Sequence, residues 1–198
     1  MPDLLLASNN QGKVCEYRVL LAGAGCRLSS LAERGITETV LETGDTYEQN
    51  ACLKAQAYAR KGQLLTIADD SGLEIDALDG KPGVHSARFA GENISDAEKI
   101  RTILDKLKGV PREERTARFI CVIAIATPEG EVELCRGECP GVIAFEPAGE
   151  GGFGYDPIFY LPDLGKTMAE VAQETKNRVS HRARAAEIAC QALKAEIH

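Results

Sequence analysis

Two adjacent carboxylates, Asp69 and Asp70, are the residues of this sequence that could most directly do chemistry. The apolar run at residues 64–68 predicts a buried strand that ends at these acids and at Ser71-Gly72. In open α/β sheets ligands bind outside the carboxyl ends of the strands, so the pair would hold a hard cation and a phosphate. Successive strand residues point to opposite faces, and the two carboxylates should therefore act differently. The alternative is a simple turn, which these residue types also favour.

A polar loop at residues 8–13 follows a short apolar strand predicted at residues 4–7. The loop opens a predicted helix, and the exposed N–H groups and the dipole of a helix start attract phosphate. Lys13 adds a full positive charge at this point. Because the G-x-x-x-x-G-K-[ST] spacing of a P-loop is absent, a capped helix start without a ligand is the alternative.

A second basic helix start is predicted near the carboxyl terminus, where Ser180 would cap a long Ala-rich helix. His181 and Arg182 would lie in its first turn, shortly after Lys176. Cations are disfavoured at a helix N-terminus unless an anion or an electron-rich group lies opposite. The cluster therefore indicates such a partner, and a solvated basic face is the alternative.

A glycine-rich segment at residues 147–160 carries Phe153 and Tyr155. Glycines let the backbone come close to a flat ligand while an aromatic face covers it, as stacking on a base requires. The alternative is that both rings are plugs of the hydrophobic core.

Three further polar residues could point at one ligand. Glu42 precedes a glycine turn, and Asn50 and Lys54 share one face of a helix predicted over residues 46–60 and closed by Lys61-Gly62. For Asn50 and Lys54 a solvated face is the default expectation.

The elements that must position these residues alternate between strand and helix over the first third of the chain. Residues 116–126 and 131–145 then predict consecutive strands joined by a hairpin at residues 127–130, which indicates an α/β fold with a mixed sheet. Capping patterns predict helices that begin after Ser95 and at Thr167. The Gly- and Pro-rich residues 78–91 are typical of a functional loop.

The bulk composition narrows the function classes. A chain of 198 residues fits one folding unit, and its net charge of −7 argues against gripping a nucleic-acid backbone. No apolar run approaches the roughly 20 residues that span a bilayer, and the basic start of a secretory signal is absent, so a cytoplasmic location is expected.

The seven cysteines form an odd set without a C-x-x-C pair, which fits neither a disulfide framework nor a zinc knuckle. Most are expected to be small core residues. A metal or redox role is kept as the alternative for Cys135 and Cys139.

The sequence resembles the inosine triphosphate pyrophosphatase family over essentially the whole chain. This family comprises the Ham1-like or RdgB-like pyrophosphatases of non-standard purine nucleoside triphosphates. The motifs that carry the resemblance are residues 7–13 with Glu16, 42–44, 50–55, 68–73, 82–88, 151–159 and 180–182. The resemblance implies a single α/β domain over residues 1–198, with an elongated two-lobed fold, a mixed central β-sheet flanked by helices and an active-site cleft between the lobes.

The same resemblance implies Mg²⁺-dependent hydrolysis of ITP, dITP and XTP to the monophosphate and pyrophosphate, which cleanses the nucleotide pool. It implies a homodimer, and neither nucleic acid nor membrane is expected as a partner. Asp70 would be the proton acceptor and a Mg²⁺ ligand, Glu42 a second acid at the metal, and Asp69 a supporting carboxylate. The implied substrate-binding residues are Ser8, Asn9, Asn10, Gln11, Gly12, Lys13, Lys54 and Ser71 for the triphosphate, and Phe153, Gly154, Tyr155, Asp156, Lys176, His181 and Arg182 for the base and sugar.

The residue types suit this reaction, because Mg²⁺ and lysines neutralise a triphosphate while an Asp beside the metal deprotonates water. Donors aimed at a 6-keto oxygen would favour hypoxanthine and xanthine over adenine, and the backbone amides near Phe153 and the Arg182 side chain are candidates. Bacterial relatives commonly carry a tryptophan at the place of Cys139 that can cover the base. Weaker base binding is therefore expected here, by about 1–3 kcal/mol.

Two alternatives remain open: a Maf-like pyrophosphatase of modified pyrimidine nucleotides, and a nucleotide-binding sensor without catalysis. A haloacid-dehalogenase-like phosphatase is disfavoured because residues 69–71 lack the D-x-D-x-[TV] arrangement. A P-loop kinase or ATPase is disfavoured because its phosphate loop is absent.

Overall fold

The computed structural model describes residues 1–91 and 94–197. The strands are β1 (Asp3–Leu6), β2 (Arg27–Ser30), β3 (Thr66–Ile75), β4 (Thr116–Ala126), β5 (Val132–Ile143), β6 (Phe159–Leu161) and β7 (Lys166–Thr167). The helices are α1 (Gln11–Leu20), α2 (Tyr47–Gly62), α3 (Asp96–Lys106), α4 (Gln173–Val179) and α5 (His181–Ile197).

The strands form a seven-stranded sheet in the order β2-β1-β3-β4-β5-β6-β7. β1 pairs in parallel with β2 and β3, whereas β6 pairs antiparallel with β5 and β7. The predicted α/β fold with a mixed sheet and flanking helices is therefore confirmed. The predicted hairpin is also confirmed, because a loop closed by a hydrogen bond from the Thr127 N–H to the Glu131 carbonyl, 3.0 Å long, joins β4 and β5.

The chain divides into two compact units, each with its own hydrophobic core. Unit 1 contains Met1–Asp70, Cys121–Gly137 and Arg182–His198. Leu4, Leu5 and Leu6 are all buried, as expected of a parallel strand covered on both faces. The core of this unit also takes side chains from α1, β3, β4 and α5, and α5 contributes small alanines that let it pack closely.

Unit 2 contains Ser71–Ile120 and Glu138–His181. Its core gathers Leu73 and Ile75 from β3, Ile103 from α3 and the tilted ring pair Phe119 and Phe159, whose centroids are 4.3 Å apart. The capping box predicted at Ser95 is formed with Glu98, so α3 starts where its sequence pattern indicates. The predicted cleft between two lobes stays a prediction, as does the assignment of a single domain.

The prediction that a strand ends at Asp69 and Asp70 is wrong. β3 continues to Ile75, and both acids lie inside it, which also excludes the alternative of a simple turn. The strand continues because Leu73 and Ile75 alternate with polar positions and are both fully buried.

Two helix boundaries also differ from expectation. Gly62 does not close α2 in a left-handed conformation, because Gln63 takes that conformation at φ +50° and Gly62 is helical. A Cβ on Gly62 would lie 3.2 Å from Leu5 Cδ2, so close packing against β1 is what favours glycine there.

No helix begins at Thr167. Thr167 belongs to β7, and its hydroxyl donates to the Ala148 carbonyl, 2.8 Å away, instead of capping a helix. The Glu170 carboxylate does accept from the Thr167 N–H at 2.8 Å, so the capping pattern forms only a turn and α4 starts at Gln173.

All seven cysteines are free thiols, in agreement with the prediction that they do not form a disulfide framework. Cys135 is 1% exposed in the core of unit 1, and burial raises the pKa of its thiol to about 11. Cys139 is equally buried in the core of unit 2. The raised pKa of Cys135 disfavours the thiolate that a metal or redox role needs.

Among the described helices, none combines the length and the apolar character that crossing a membrane requires.

Candidate active site

The loop after β1 builds the helix start that the sequence predicts. Asn10 is the N-cap of α1, and its side-chain oxygen accepts from the Lys13 N–H at 3.1 Å. Ser8 Oγ accepts from the Asn10 N–H at 3.2 Å, which orders the loop before the cap. Asn9, Asn10 and Gln11 are exposed, and the first turn carries no acidic residue. This helix start can therefore receive an anion from solvent.

Asp69 is surrounded by cations of unit 1. Lys13 Nζ lies 2.8 Å from Asp69 Oδ2, and Arg182 Nε lies 4.0 Å from the same oxygen. Burial alone would raise the pKa of Asp69, but Lys13, Arg182 and Lys54 outweigh it and hold the pKa well below its ordinary value. Asp69 is consequently an anion near neutral pH, and it anchors the lysine of the helix start.

Arg182 occupies the first turn of α5, as predicted, and is 2% exposed. Its Nη1 donates to Glu16 Oε2 at 2.6 Å. The anion that the basic helix start requires is thus supplied within unit 1 by Glu16 and Asp69. This contact occupies part of the guanidinium that the sequence predicts to bind the base.

Asp70, the next residue of β3, lies in a different environment. Asn50 Nδ2 donates to Asp70 Oδ2 at 3.1 Å, and Asn50 Oδ1 accepts from the Gly44 N–H at 2.8 Å. Burial raises the pKa of Asp70, and although Lys54 opposes that shift, Glu42 adds to it. The group is a buried carboxylate with a raised proton affinity, which is the property expected of a general base.

Lys54 links the acids of this region. Its Nζ lies 2.5 Å from Glu42 Oε1 and donates to the Asp69 backbone carbonyl at 2.6 Å. Burial alone would lower the pKa of Lys54, but the nearby carboxylates of Asp69, Glu42 and Asp70 raise it. Asn50 is fully buried and Lys54 is largely buried, so the expectation of a solvated helix face is wrong for both.

A divalent cation fits the acids of this region. Among the described residues no group of three or more His, Cys, Asp or Glu side chains is placed to hold a metal ion. Asp70 and Glu42 nevertheless interact as like charges, and a cation beside them would relieve that repulsion. Mg²⁺ in nucleotide sites is typically held by one or two carboxylates together with substrate phosphates and water.

Unit 2 contains a separate buried ion pair in the glycine-rich segment. Lys176 Nζ lies 2.7 Å from Asp156 Oδ2, and both side chains are buried. Lys176 also lies 5.1 Å from the ring centroid of Phe153, a cation–π distance. A Cβ on Gly152 would lie 2.0 Å from Asp156 Oδ2, so only glycine fits at this position, where φ is +74°.

The backbone amides proposed to read a base have partners within unit 2. The Phe153 N–H donates to Asp156 Oδ2 at 3.0 Å, and the Gly154 N–H donates to Asp96 Oδ2 at 2.8 Å. A base that takes hydrogen bonds from these amides must therefore replace carboxylate oxygens.

The two aromatic residues of the glycine-rich segment differ in their exposure to solvent. Phe153 is partly exposed, whereas Tyr155 is 5% exposed in the core and donates its hydroxyl to the Ser86 carbonyl at 2.8 Å. The reading as a core plug thus holds for Tyr155. His181 is also buried and stacks on Phe119, with ring centroids 4.7 Å apart.

Within unit 1 the structure brings together Lys13, Glu42, Lys54, Asp69 and Asp70, and the loop of Ser8, Asn9, Asn10, Gln11 and Gly12 precedes Lys13 in the same unit. Within unit 2 it brings together Phe153, Asp156 and Lys176, whereas Ser71, Gly154, Tyr155 and His181 belong to that unit without joining the ion pair.

The i, i+4 spacing offers Asn50 together with Lys54 as residues that could point at one ligand, although solvent is the default expectation, and the structure places Asn50 against Asp70. Two contributors are not among the predicted site residues. They are the Asp96 carboxylate, which accepts from the Gly154 N–H, and the Ser86 hydroxyl, which accepts from the Leu73 N–H at 2.9 Å.

Cys139 is 2% exposed and packs in the core of unit 2. A tryptophan there could not cover a base without repacking of that core. The predicted loss of a stacking face stays a prediction.

The fold and these contacts first define a class: a mixed α/β protein in which an exposed helix start, paired lysines and buried acids suit a polyanion and a divalent cation. The chain belongs to the Ham1 family, whose model matches residues 4–192.

Similar sequences and structures cover nearly the whole chain. It is 52% identical over 185 residues to the dITP/XTP pyrophosphatase of Geobacillus kaustophilus, covering 93% of this chain and 91% of that relative. It is 50% identical over 183 residues to the dITP/XTP pyrophosphatase of Bacillus subtilis, covering 92% of each. The Ham1 protein of Staphylococcus aureus matches with a TM-score of 0.87 and 43% identity over 98% of this chain and 99% of that one. The HAM1 protein of Coxiella burnetii matches with a TM-score of 0.89 and 40% identity over 98% of this chain and all of that one.

Proposed function

We propose that this chain is a nucleoside triphosphate pyrophosphatase that hydrolyses ITP, dITP and XTP to the monophosphate and pyrophosphate. The observation that carries the proposal is membership of the Ham1 family together with about half of all positions identical to relatives named dITP/XTP pyrophosphatase. The contrast between Asp69 and Asp70 supports it, because the reaction needs both a fixed charge and a proton acceptor.

Asp70 is the proposed general base that accepts the proton of the attacking water. Its raised pKa supports this role, since a base with a higher proton affinity removes a proton more readily. Asp69 is the proposed supporting carboxylate, which holds Lys13 beside the helix start.

Asp70 and Glu42 are the proposed ligands of Mg²⁺, which when bound would neutralise phosphate charge. Lys13 and Lys54 are proposed to bind the triphosphate, together with the loop at residues 8–12 and Ser71. Lys54 is now paired with Glu42, so a phosphate oxygen would exchange with or join that carboxylate. Positive charge placed in advance stabilises the transition state without reorganisation.

The base and sugar of the nucleotide are proposed to bind to seven residues, which are Phe153, Gly154, Tyr155, Asp156, Lys176, His181 and Arg182. The partly exposed ring of Phe153 supports stacking on a purine, and the buried Lys176–Asp156 pair supports a rigid backbone around it. The 6-keto oxygen of hypoxanthine or xanthine is proposed to accept from backbone amides of this segment, which adenine would leave without an acceptor.

A homodimer and a role that involves no nucleic acid are also proposed. Sedimentation equilibrium would test the first, with twice the chain mass expected. The cytoplasmic location stays a prediction from the sequence.

The decisive experiment is a product assay on ITP, dITP, XTP, GTP, ATP and dUTP, each with and without Mg²⁺. We expect pyrophosphate from ITP, dITP and XTP only with Mg²⁺, and little from the others. Orthophosphate as the product would contradict the reaction type, and preference for dUTP would favour a Maf-like activity. Nucleotide binding without product would identify a sensor.

A further inference from the structure

The side chain of Asn50 is fully buried on α2, and both ends of its amide are hydrogen-bonded. Its Oδ1 accepts from the Gly44 N–H at 2.8 Å, and its Nδ2 donates to Asp70 Oδ2 at 3.1 Å. One amide therefore connects the turn that follows Glu42 to the carboxylate of Asp70. Neither contact belongs to the helix itself, so neither is needed to form α2.

We propose that Asn50 is a positioning residue for Asp70: it fixes the orientation of the carboxylate and holds it at a set distance from the turn that carries Glu42. The proposal rests on the proposed function, in which Asp70 accepts the proton of water. A carboxylate that rotates loses its alignment with that proton, and small misplacements of catalytic groups lower rates strongly.

Only an amide of this length satisfies both partners. Aspartate could accept from Gly44 but would present oxygen to the oxygen of Asp70, and leucine could make neither bond. The turn is fitted to the same amide, because a Cβ on Gly44 would lie 2.9 Å from Asn50 Oδ1 and 2.6 Å from Gln49 Cβ. Lys54 follows one helical turn later and contacts Glu42, so the same face of α2 supports both acids.

The test compares Asn50→Asp and Asn50→Leu with the wild type in pyrophosphate release from ITP. We expect kcat to fall about 10- to 100-fold in both variants, the effect of losing a hydrogen bond to a charged group. KM for ITP should stay within about threefold, because Asn50 is placed to contact Asp70 and not the substrate. A purely structural role in bracing the turn predicts a different result: Asn50→Asp keeps the Gly44 contact and would keep kcat.

Gln49→Ala is the matched control. Gln49 Oε1 accepts from the Asp45 N–H at 2.7 Å, so it braces the same turn from the same helix without a contact to Asp70. This variant should keep the wild-type kcat. An equal loss of kcat in Gln49→Ala, or an unchanged kcat in Asn50→Asp, would overturn the proposal.

A thermal double-mutant cycle tests the contact without using activity. The loss of Tm caused by Asn50→Leu should be about 2–4 °C smaller in an Asp70→Ala background than in the wild type. Additive losses would overturn the positioning role by themselves. A wild type that releases no pyrophosphate would instead overturn the proposed function, and the two failures are thereby distinguished.

Discussion

The surroundings of Asp69 and the surroundings of Asp70 shift the two pKa values in opposite directions, although the two residues are neighbours in β3. Lys13 and Arg182 lie against Asp69 and hold its pKa down. Asp70 faces Asn50 and a second acid, Glu42, and burial raises its pKa. Because side chains alternate across a strand, one backbone step moves a carboxylate from a place where cations outweigh burial to one where burial prevails.

This difference shows that burial does not decide what a carboxylate does. Both side chains are almost completely buried, so both lose most of their hydration. The cations around Asp69 compensate for the lost hydration, and Asp69 stays ionised and holds Lys13 in place. Asp70 is compensated less and keeps a higher affinity for a proton. The following predictions test this contrast.

The largest effect is expected from Asp70→Asn. The variant keeps the shape of the side chain but cannot accept a proton, so pyrophosphate release from ITP should fall by about 10³-fold or more. The free energy of unfolding should stay the same or rise slightly, because a raised pKa means that the ionised carboxylate destabilises the native state. Activity retained within tenfold would remove Asp70 from the role of general base.

Asp69→Asn should have the opposite profile, with stability as its main effect. The variant leaves Lys13 and Arg182 beside a neutral amide, and breaking a buried ion pair costs about 3 kcal/mol. Urea unfolding near neutral pH measures the loss. Asp105→Asn is the control, because Asp105 pairs with Lys108 at an exposed surface and its removal should leave the urea midpoint unchanged. Equal midpoints for Asp69→Asn and the wild type would show that the cations do not stabilise Asp69.

The pH dependence of unfolding should separate the two acids. The pKa of Asp69 is depressed in the native state, so its stabilisation is complete above the ordinary Asp value of 3.8 and is lost as the pH falls below it. The stability advantage of the wild type over Asp69→Asn should therefore shrink by about 1 kcal/mol between about pH 7 and pH 3.

The pKa of Asp70 is raised, so the pH dependence of its effect on stability has the opposite sign. Its destabilisation is complete above the folded pKa and disappears as the carboxyl takes up a proton, so acidification should improve the wild type relative to Asp70→Asn. Parallel pH profiles for the two variants would contradict the contrast. Urea midpoints measured at several pH values for the wild type and both variants provide the data.

The smallest effect is expected from Lys54→Met, which removes the cation shared by Glu42 and the Asp69 carbonyl. KM for ITP should rise about tenfold, since one charge for the triphosphate is lost. Lys61→Met on the same helix is the control, because Lys61 forms its ion pair with Glu38 at the surface and should leave KM unchanged. If both variants raised KM equally, a general effect of net charge would replace the specific role of Lys54.

Patterns in the sequence are sufficient to predict the local features of this protein. The helix start in the loop at residues 8–13 and the capping box at Ser95 follow from interactions between residues a few positions apart, so their patterns predict them directly. The start of α5 at His181 also agrees with the sequence prediction. The hairpin between β4 and β5 is local for the same reason. The two adjacent acids, the lysine of the helix start and the glycine-rich segment also stand out in the sequence, because their residue types are rarely needed for folding alone.

The partners of these residues, in contrast, depend on how the chain packs in three dimensions. The Arg182 and Glu16 side chains form a hydrogen bond 2.6 Å long although they are 166 positions apart. Local sequence patterns do not predict this pair. Asn50 was expected in solvent, yet packing between α2 and β3 buries it against Asp70. Likewise β3 continues past its acids because Leu73 and Ile75 enter the core of unit 2. Proton affinity and ion pairing depend on distances through space, and those distances are set when segments remote in sequence pack together.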